Sequence, residues 1–250
     1  MSDIPKDHIT RTKAFSCNDS SKNIQGKKRA LRSCNSNPDE IAGLIFKIAF
    51  YRRAFHQLSI AHDLKTGITY GIILIRDAPY VLPPLLARLT SYQTDLDTIF
   101  HPLLLPVLAI EREIERTSRR LHGSDSDINE LEQLMGQHEY ADRPRGNPLD
   151  LDFTAATRKL NYISKTTGVD ALNLGYLMLT FETIELWNTN KERGGEEDSK
   201  GFDIATCRKM KEKITWLKDS CRSLLLLAEY EDKRTKTLIQ VVRIMDSFEQ

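Results

Sequence analysis

Towards the end of the chain, apolar side chains recur alternately three and four positions apart. The series runs Cys207, Met210, Ile214, Leu217, Cys221, Leu224, Ala228, Glu231, Thr235, Leu238, Val242 and Met245. Only Glu231 and Thr235 interrupt it, so one stripe of a long helix, about 202–248, is marked for burial against other helices. Ile214, Leu217, Leu224, Leu238 and Val242 form the candidate interaction seam. The polar gap at Glu231 and Thr235 is expected to set its register, because a polar residue in a seam selects one pairing over others.

Two earlier segments carry the same periodicity. Leu103, Val107, Ile110, Ile114, Thr117, Leu121, Ile128, Leu131 and Met135 lie on one stripe. Leu121 and Ile128 are seven apart and keep phase across Gly123-Ser124, which favours one helix from Pro102 to about Tyr140, roughly 55–60 Å long. The alternative is a break at Gly123, with Ser124 or Asp125 capping a new helix. Between about 151 and 188, Leu160, Ile163, Thr167, Leu174, Leu177, Phe181 and Ile184 give a third stripe, with Gly168 as an interior weakness. Residues 142–148 and 189–201, rich in Gly, Pro, Asn and charge, read as connecting loops. Short connections place successive helices antiparallel in a bundle.

The pattern differs upstream. Phe55 to Ala61 alternates, Lys65-Thr66-Gly67 supplies a turn, and Ile68 to Ile75 follows as a second run of β-formers. This predicts an antiparallel hairpin over about 55–76, which must pack on the helices because two strands alone are marginal. A short helix from Pro79 to about Gln93 has Pro83-Pro84 in its first turn, where a missing N–H costs little. The fold class expected is mainly α (α+β): a bundle of long antiparallel helices, or coiled-coil hairpins, with a small N-terminal β-hairpin. Residues 39–250 form its single domain. Residues 1–38, poor in large apolar groups, read as a disordered tail.

Composition adds exclusions. In 250 residues, 36 basic and 35 acidic side chains nearly cancel, so no global field attracts nucleic acid or anionic lipid. The tail is locally basic, with a cluster at Lys27, Lys28, Arg29 and Arg32. That cluster reads as a solvated patch, with a nuclear import or phosphate-binding signal as the alternative. Cys17, Cys34, Cys207 and Cys221 are too sparse for a disulfide scaffold. The longest apolar run, Leu103 to Ile110, falls far short of the roughly 20 residues a membrane span takes, so no membrane insertion is expected. Charged residues break up the N-terminus where a secretory signal would be apolar, so a cytoplasmic location is expected, or a nuclear one through the basic tail.

No catalytic, cofactor-binding or metal-ligating residue is assigned. His8, His56, His62, His101, His122 and His138 lack ligand spacing and read as core or surface histidines. The pairs Asp95/Asp97 and Asp150/Asp152 precede predicted helices, where aspartate caps the N-terminus. Cys207 and Cys221 lie on the apolar stripe, where a thiol is inert. Trp187 and Trp216 read as buried anchors. Phosphate loops, nucleophile elbows and kinase signatures are absent from the sequence. That removes the usual grounds for proposing an enzyme, though not every enzyme carries a motif.

The run Gly67-Ile68-Thr69-Tyr70-Gly71-Ile72-Ile73-Leu74, then His101-Pro102-Leu103-Leu104-Leu105-Pro106 before a long charged helix, resembles the cytosolic part of fungal CorA-like magnesium-transporter-type proteins. Tyr230 to Asp246 is similar to the helix that in such transporters descends towards the membrane. The resemblance implies long antiparallel helices behind a strand-bearing region, and a link to Mg2+. Those transporters add two membrane helices and a Gly-Met-Asn signature. This chain ends at Gln250 with neither, so it is expected not to conduct an ion by itself, and no metal-binding residue is carried over. The functional expectation is a non-catalytic helical interaction or scaffold protein that self-associates or pairs with a related helical protein. The alternatives are a regulatory partner of a magnesium-transporter-type membrane protein, or an accessory factor or enzyme of specialised metabolism with a pocket between helices.

Overall fold

The structure is a computed structural model that describes residues 31–36, 41–48, 56–63, 68–75, 78–92, 95–99, 101–137, 146–147, 151–193 and 204–249. Lys27, Lys28 and Arg29 of the basic cluster, Cys17, Asp150, His8, His138 and the turn Lys65 to Gly67 lie outside the described residues.

Four strands pair as an antiparallel meander: β1 (Leu31–Ser36), β2 (Ile41–Ile48), β3 (His56–Asp63) and β4 (Thr69–Ile75), in that spatial order. The expected hairpin is β3–β4, registered from His56 opposite Ile75 to His62 opposite Thr69. Two more strands precede it, and β1 falls inside the segment expected to be a disordered tail. Its few apolar residues do not make it a strand by themselves. Pairing with β2 does, from Leu31 opposite Phe46 to Ser36 opposite Ile41, with Arg32 opposite Ile45. Residues directly opposite share a face of a sheet, and the faces alternate along each strand. On β3, Leu58, Ile60 and His62 are buried and define the face turned to the helices.

Five helices follow: α1 (Ala78–Ser91), α2 (Leu96–Ile99), α3 (Leu104–Leu134), α4 (Phe153–Arg193) and α5 (Ile204–Glu249). Pro83 and Pro84 lie inside α1 rather than in its first turn, because the helix begins at Ala78. Each removes one intrahelical N–H bond. Of the four aspartates expected to cap, Asp95 and Asp152 do so, while Asp97 lies inside α2 and Asp150 outside the described residues. The Thr98 N–H and hydroxyl donate to the Asp95 carboxylate at 3.2 and 2.8 Å, and the Ala155 N–H donates to Asp152 at 2.9 Å.

Helix α3 runs unbroken through Gly123 but stops at Leu134, short of the expected Tyr140. Gly136 is the reason: its φ of 68° is open to glycine at no steric cost. The Gly136 N–H then bonds the Gln133 carbonyl at 3.0 Å and the Gln137 N–H the Glu132 carbonyl at 2.8 Å, the paired bonds of a Schellman cap. Gly146 packs on this cap. Its N–H donates to the Gln133 carbonyl at 3.0 Å, and a Cβ there would meet the Leu134 carbonyl oxygen at 2.5 Å.

The three long helices form an up-down-up bundle. Antiparallel α4 and α5 are tied by Ser164 to Asp232 at 3.0 Å, by Lys218 to Glu185 at 2.6 Å, and by Cys221 Sγ to the Leu174 carbonyl at 3.5 Å. Lys213–Glu111 at 3.1 Å and Arg234–Asp125 at 2.9 Å place α5 parallel to α3. The apolar core falls into two parts. One joins Leu58 and Ile60 of the sheet to Leu85 of α1, the first half of α3, Leu174 to Ile184 of α4 and Met210 to Ala228 of α5. The other joins Ile128, Leu131 and Met135 to Phe153 through Ile163 and to Leu238, Ile239 and Val242. Each large aliphatic side chain so buried contributes roughly 1.5–3 kcal/mol.

Candidate functional site

The five residues of the predicted seam, Ile214, Leu217, Leu224, Leu238 and Val242, are all buried. What covers them is α3 and α4 of the same chain, because three long stripes in one polypeptide satisfy one another. The seam is therefore interior, and any surface offered to a partner lies elsewhere. Cys221 is buried among these residues, and burial pushes its thiol up to about 12. Trp216 faces solvent rather than the core.

Polar side chains from all three helices interrupt the apolar stripes around the junction of the two halves. Thr117 and Arg120 come from α3, Thr167 and Asp170 from α4, and Glu231 and Thr235 from α5. Arg120 grips Asp170 with Nε 3.2 and 3.1 Å from the two carboxylate oxygens and with Nη2 2.7 Å from one of them. The same guanidinium reaches the Thr117 hydroxyl at 2.9 Å. One turn earlier, buried Glu113 accepts from Arg116 at 2.7 Å; burial raises its carboxyl, against the opposing pull of Arg116 and Arg120. On the other flank, Arg234 donates to Glu132 at 2.6 Å, to Asp125 at 2.9 Å and to Asn129 at 2.5 Å. These carboxylates raise the Arg234 guanidinium further above its ordinary range, with the Glu132 bond the largest cause.

Glu231 is different. Its side chain is 0% exposed, and neither carboxylate oxygen has a hydrogen-bond partner. Thr235 donates to the Glu231 main-chain carbonyl at 2.7 Å, not to the acid. The nearby Thr167 hydroxyl position on the facing stripe is also buried without a partner. Desolvation, reinforced by Asp125 and Asp170 and opposed by Arg234, pushes the Glu231 carboxyl up to about 7. An acid so placed changes charge near neutrality inside the bundle, where its ionised oxygens meet no hydrogen-bond donor and Arg234 offsets only part of the cost. It is a group that tunes stability rather than one presented to a substrate.

At the sheet end, a cleft of about 370 Å3 opens between β3–β4, α1 and the start of α3. Ile60, Gly71, Leu89, Ile99, Leu104 and Leu105 supply most of its wall. Its polar members are already engaged. Thr69 pairs with His62 at 2.9 Å, and the Leu103 N–H donates to His101 Nδ1 at 3.2 Å. His62 and His101 are thus core histidines, as the sequence suggested. Among the described residues, no group of three or more His, Cys, Asp or Glu could hold a metal ion, and no helix is long and apolar enough to cross a membrane.

On the outward face of the sheet, β4 carries an exposed apolar row among the described residues. Tyr70, Ile72 and Leu74 on β4 are 61%, 67% and 56% exposed. Strand β4 is also the last in the sheet, so its outer edge has no strand partner among the described residues. Thr69 to Ile75 contains no charge and no proline, the usual guards of a free edge. Sequence reading found this strand but not its exposure. With Ile72, Ile73, Leu74 and Ile75 all apolar, both faces look alike until one is covered.

No protein-family model matches this chain, and no curated protein matches it either.

Proposed function

We propose that this chain is a non-catalytic interaction protein: a helical stem that holds a small sheet in place and offers the free edge of β4 for docking. The observation that carries the reading is the row Tyr70, Ile72 and Leu74, three large apolar groups left in water on an unguarded edge strand. A patch of that kind marks interaction sites in folded proteins, and an added strand gains main-chain hydrogen bonds along the edge as well. The polar side chains at the junction support the stem by admitting one register of the three helices.

The test is fluorescence anisotropy with a labelled peptide of the sequence Thr-Tyr-Gly-Ile-Ile-Leu-Ile on a solubilising lysine tail. Saturable binding to the full chain is expected, weakened at least about tenfold by Tyr70→Lys with Leu74→Lys, a loss of roughly 1.4 kcal/mol. Equal binding by the double variant rejects the reading.

The transporter-linked alternative rests on the run His101 to Pro106, which opens α3. It expects the melting temperature to rise in a few millimolar magnesium. An unchanged melting curve ends it.

A further inference from the structure

We infer that the bundle has a proton-gated joint: with Glu231 neutral the three long helices stay closed along their whole length, and with Glu231 ionised the half beyond it opens, hinged at Gly123 and Gly168, to bring the carboxylate to water. The device is independent of what β4 binds. Its place is fixed by where each helix passes from one apolar cluster to the other. That happens between Leu121 and Ile128 on α3, between Ile163 and Leu174 on α4, and between Ala228 and Leu238 on α5. No apolar side chain is buried within any of the three intervals. Two of them hold a helical glycine, Gly123 and Gly168, with open space around it. Glycine is the poorest helix former after proline, and a glycine beside Ser124 or Thr167 is where a helix bends most readily.

Glu231 sits at this joint between both neighbouring helices. Asp232, next to it, accepts from Ser164 of α4 at 3.0 Å, and Arg234, one turn on, pairs with Asp125 of α3 at 2.9 Å. The charges that act on Glu231 are Asp125 from α3, Asp170 from α4 and Arg234 from its own helix. Both aspartates oppose its ionisation. Arg234 favours it, but that guanidinium is already shared among Glu132, Asp125 and Asn129. With the joint closed, neither carboxylate oxygen has a hydrogen-bond partner, and the Thr167 hydroxyl on α4 is likewise buried without one. Opening hydrates both groups. It also releases a proton, because the carboxyl ionises at about 7 in the closed bundle and near its ordinary 4.5 in water. The ratio of open to closed molecules therefore rises with pH between those values and is level above them.

The experiment is thiol modification of the full chain by a pyridyl disulfide, which reacts in mild acid as well as in base, read by peptide mapping. Val242→Cys puts a thiol in the half beyond the joint, at a fully buried position. Cys221, buried in the half that holds the sheet residues, is the internal reference. Each rate is divided by that of the same thiol in urea at the same pH, which leaves the open-to-closed ratio. At position 242 that ratio should exceed the one at Cys221 by at least about tenfold and rise less steeply with added urea, since less surface is exposed. It should also grow about 30-fold between about pH 5.5 and 8.5, and stay flat once Glu231→Gln is added. Should that variant not fold, Glu231→Met supplies the uncharged background. Equal ratios at the two thiols mean that the bundle opens only as a whole; they overturn the joint and leave the effect of Glu231 on stability standing. A faster thiol at 242 whose ratio ignores pH, or keeps its pH response in the uncharged background, overturns the gate. Gly123→Ala with Gly168→Ala should lower the ratio at 242 at every pH, and an unchanged ratio overturns the hinge.

Discussion

Replacing Glu231 by Gln should stabilise the protein at alkaline pH and leave it almost unchanged in mild acid. In the unfolded chain the carboxyl ionises near its ordinary 4.5; in the bundle it does so at about 7. Between those values the folded state keeps a proton that the unfolded state has released. Stability therefore falls as pH rises from about 4.5 to about 7, and levels off above. At about 1.4 kcal/mol per tenfold change in proton affinity, the ionised acid costs about 3 kcal/mol. Gln copies the shape of the protonated acid, and Arg234, Asp125 and Asp170 remain around it. The assay is urea unfolding followed by circular dichroism at several pH values for both proteins. The difference between them should be within about 0.5 kcal/mol near pH 4.5 and grow to about 2–3 kcal/mol at pH 8. Other groups that titrate, Glu113 among them, cancel in that difference. Parallel curves, with a gap independent of pH, would show that ionisation of Glu231 is not what burdens the bundle.

Glycines should separate by what surrounds them. Gly123→Ala and Gly168→Ala have open space for the new methyl and should each raise stability by up to about 1 kcal/mol, whereas Gly146→Ala drives a Cβ into the α3 cap and should lower the melting temperature by several degrees. Arg234→Ala strips Asp125, Asn129 and Glu132 of their shared donor and should cost about 2–4 kcal/mol at neutral pH, read by the same urea titration. Cys221, buried and with its thiol held up at about 12, should resist alkylation at pH 8 under native conditions while partly exposed Cys207 reacts. Peptide mapping by mass spectrometry distinguishes the two, and equal labelling would contradict the packing of α5 on α4.

The long helices were legible because their signal is repeated many times. Phase held from Leu121 to Ile128 announced that α3 ignores Gly123, and an aspartate ahead of an apolar stripe marked where α4 begins. Single-residue signals were easier to miss. Gly136 just after Met135 was enough to end α3, yet the periodicity alone carried the reading on to Tyr140. Strands β1 and β2 were hidden for another reason: Ile41 to Ile48 has no clean alternation, and Leu31 to Ser36 is a strand only by virtue of its neighbour. Part of the polar set showed in advance, as the gap at Glu231 and Thr235 and as Thr117 and Thr167 on the neighbouring stripes. The rest did not, because the spacing within α3 and α4 does not reveal that Arg120 and Asp170 meet. The exposed row on β4 needed the same knowledge of which face the helices cover.

The division of the core also bears on how the molecule comes apart. Ile128, Leu131, Phe153, Leu160, Leu238 and Val242 cohere among themselves, apart from the cluster that holds the sheet residues, and three continuous helical backbones join them to the remainder, with the Arg120–Asp170 clamp at the boundary. Opening can then start at the tip distant from the strands and halt near Arg120, leaving the sheet end intact. Amide exchange would register this as two tiers of protection along each long helix, with the slower tier on the side that carries β4.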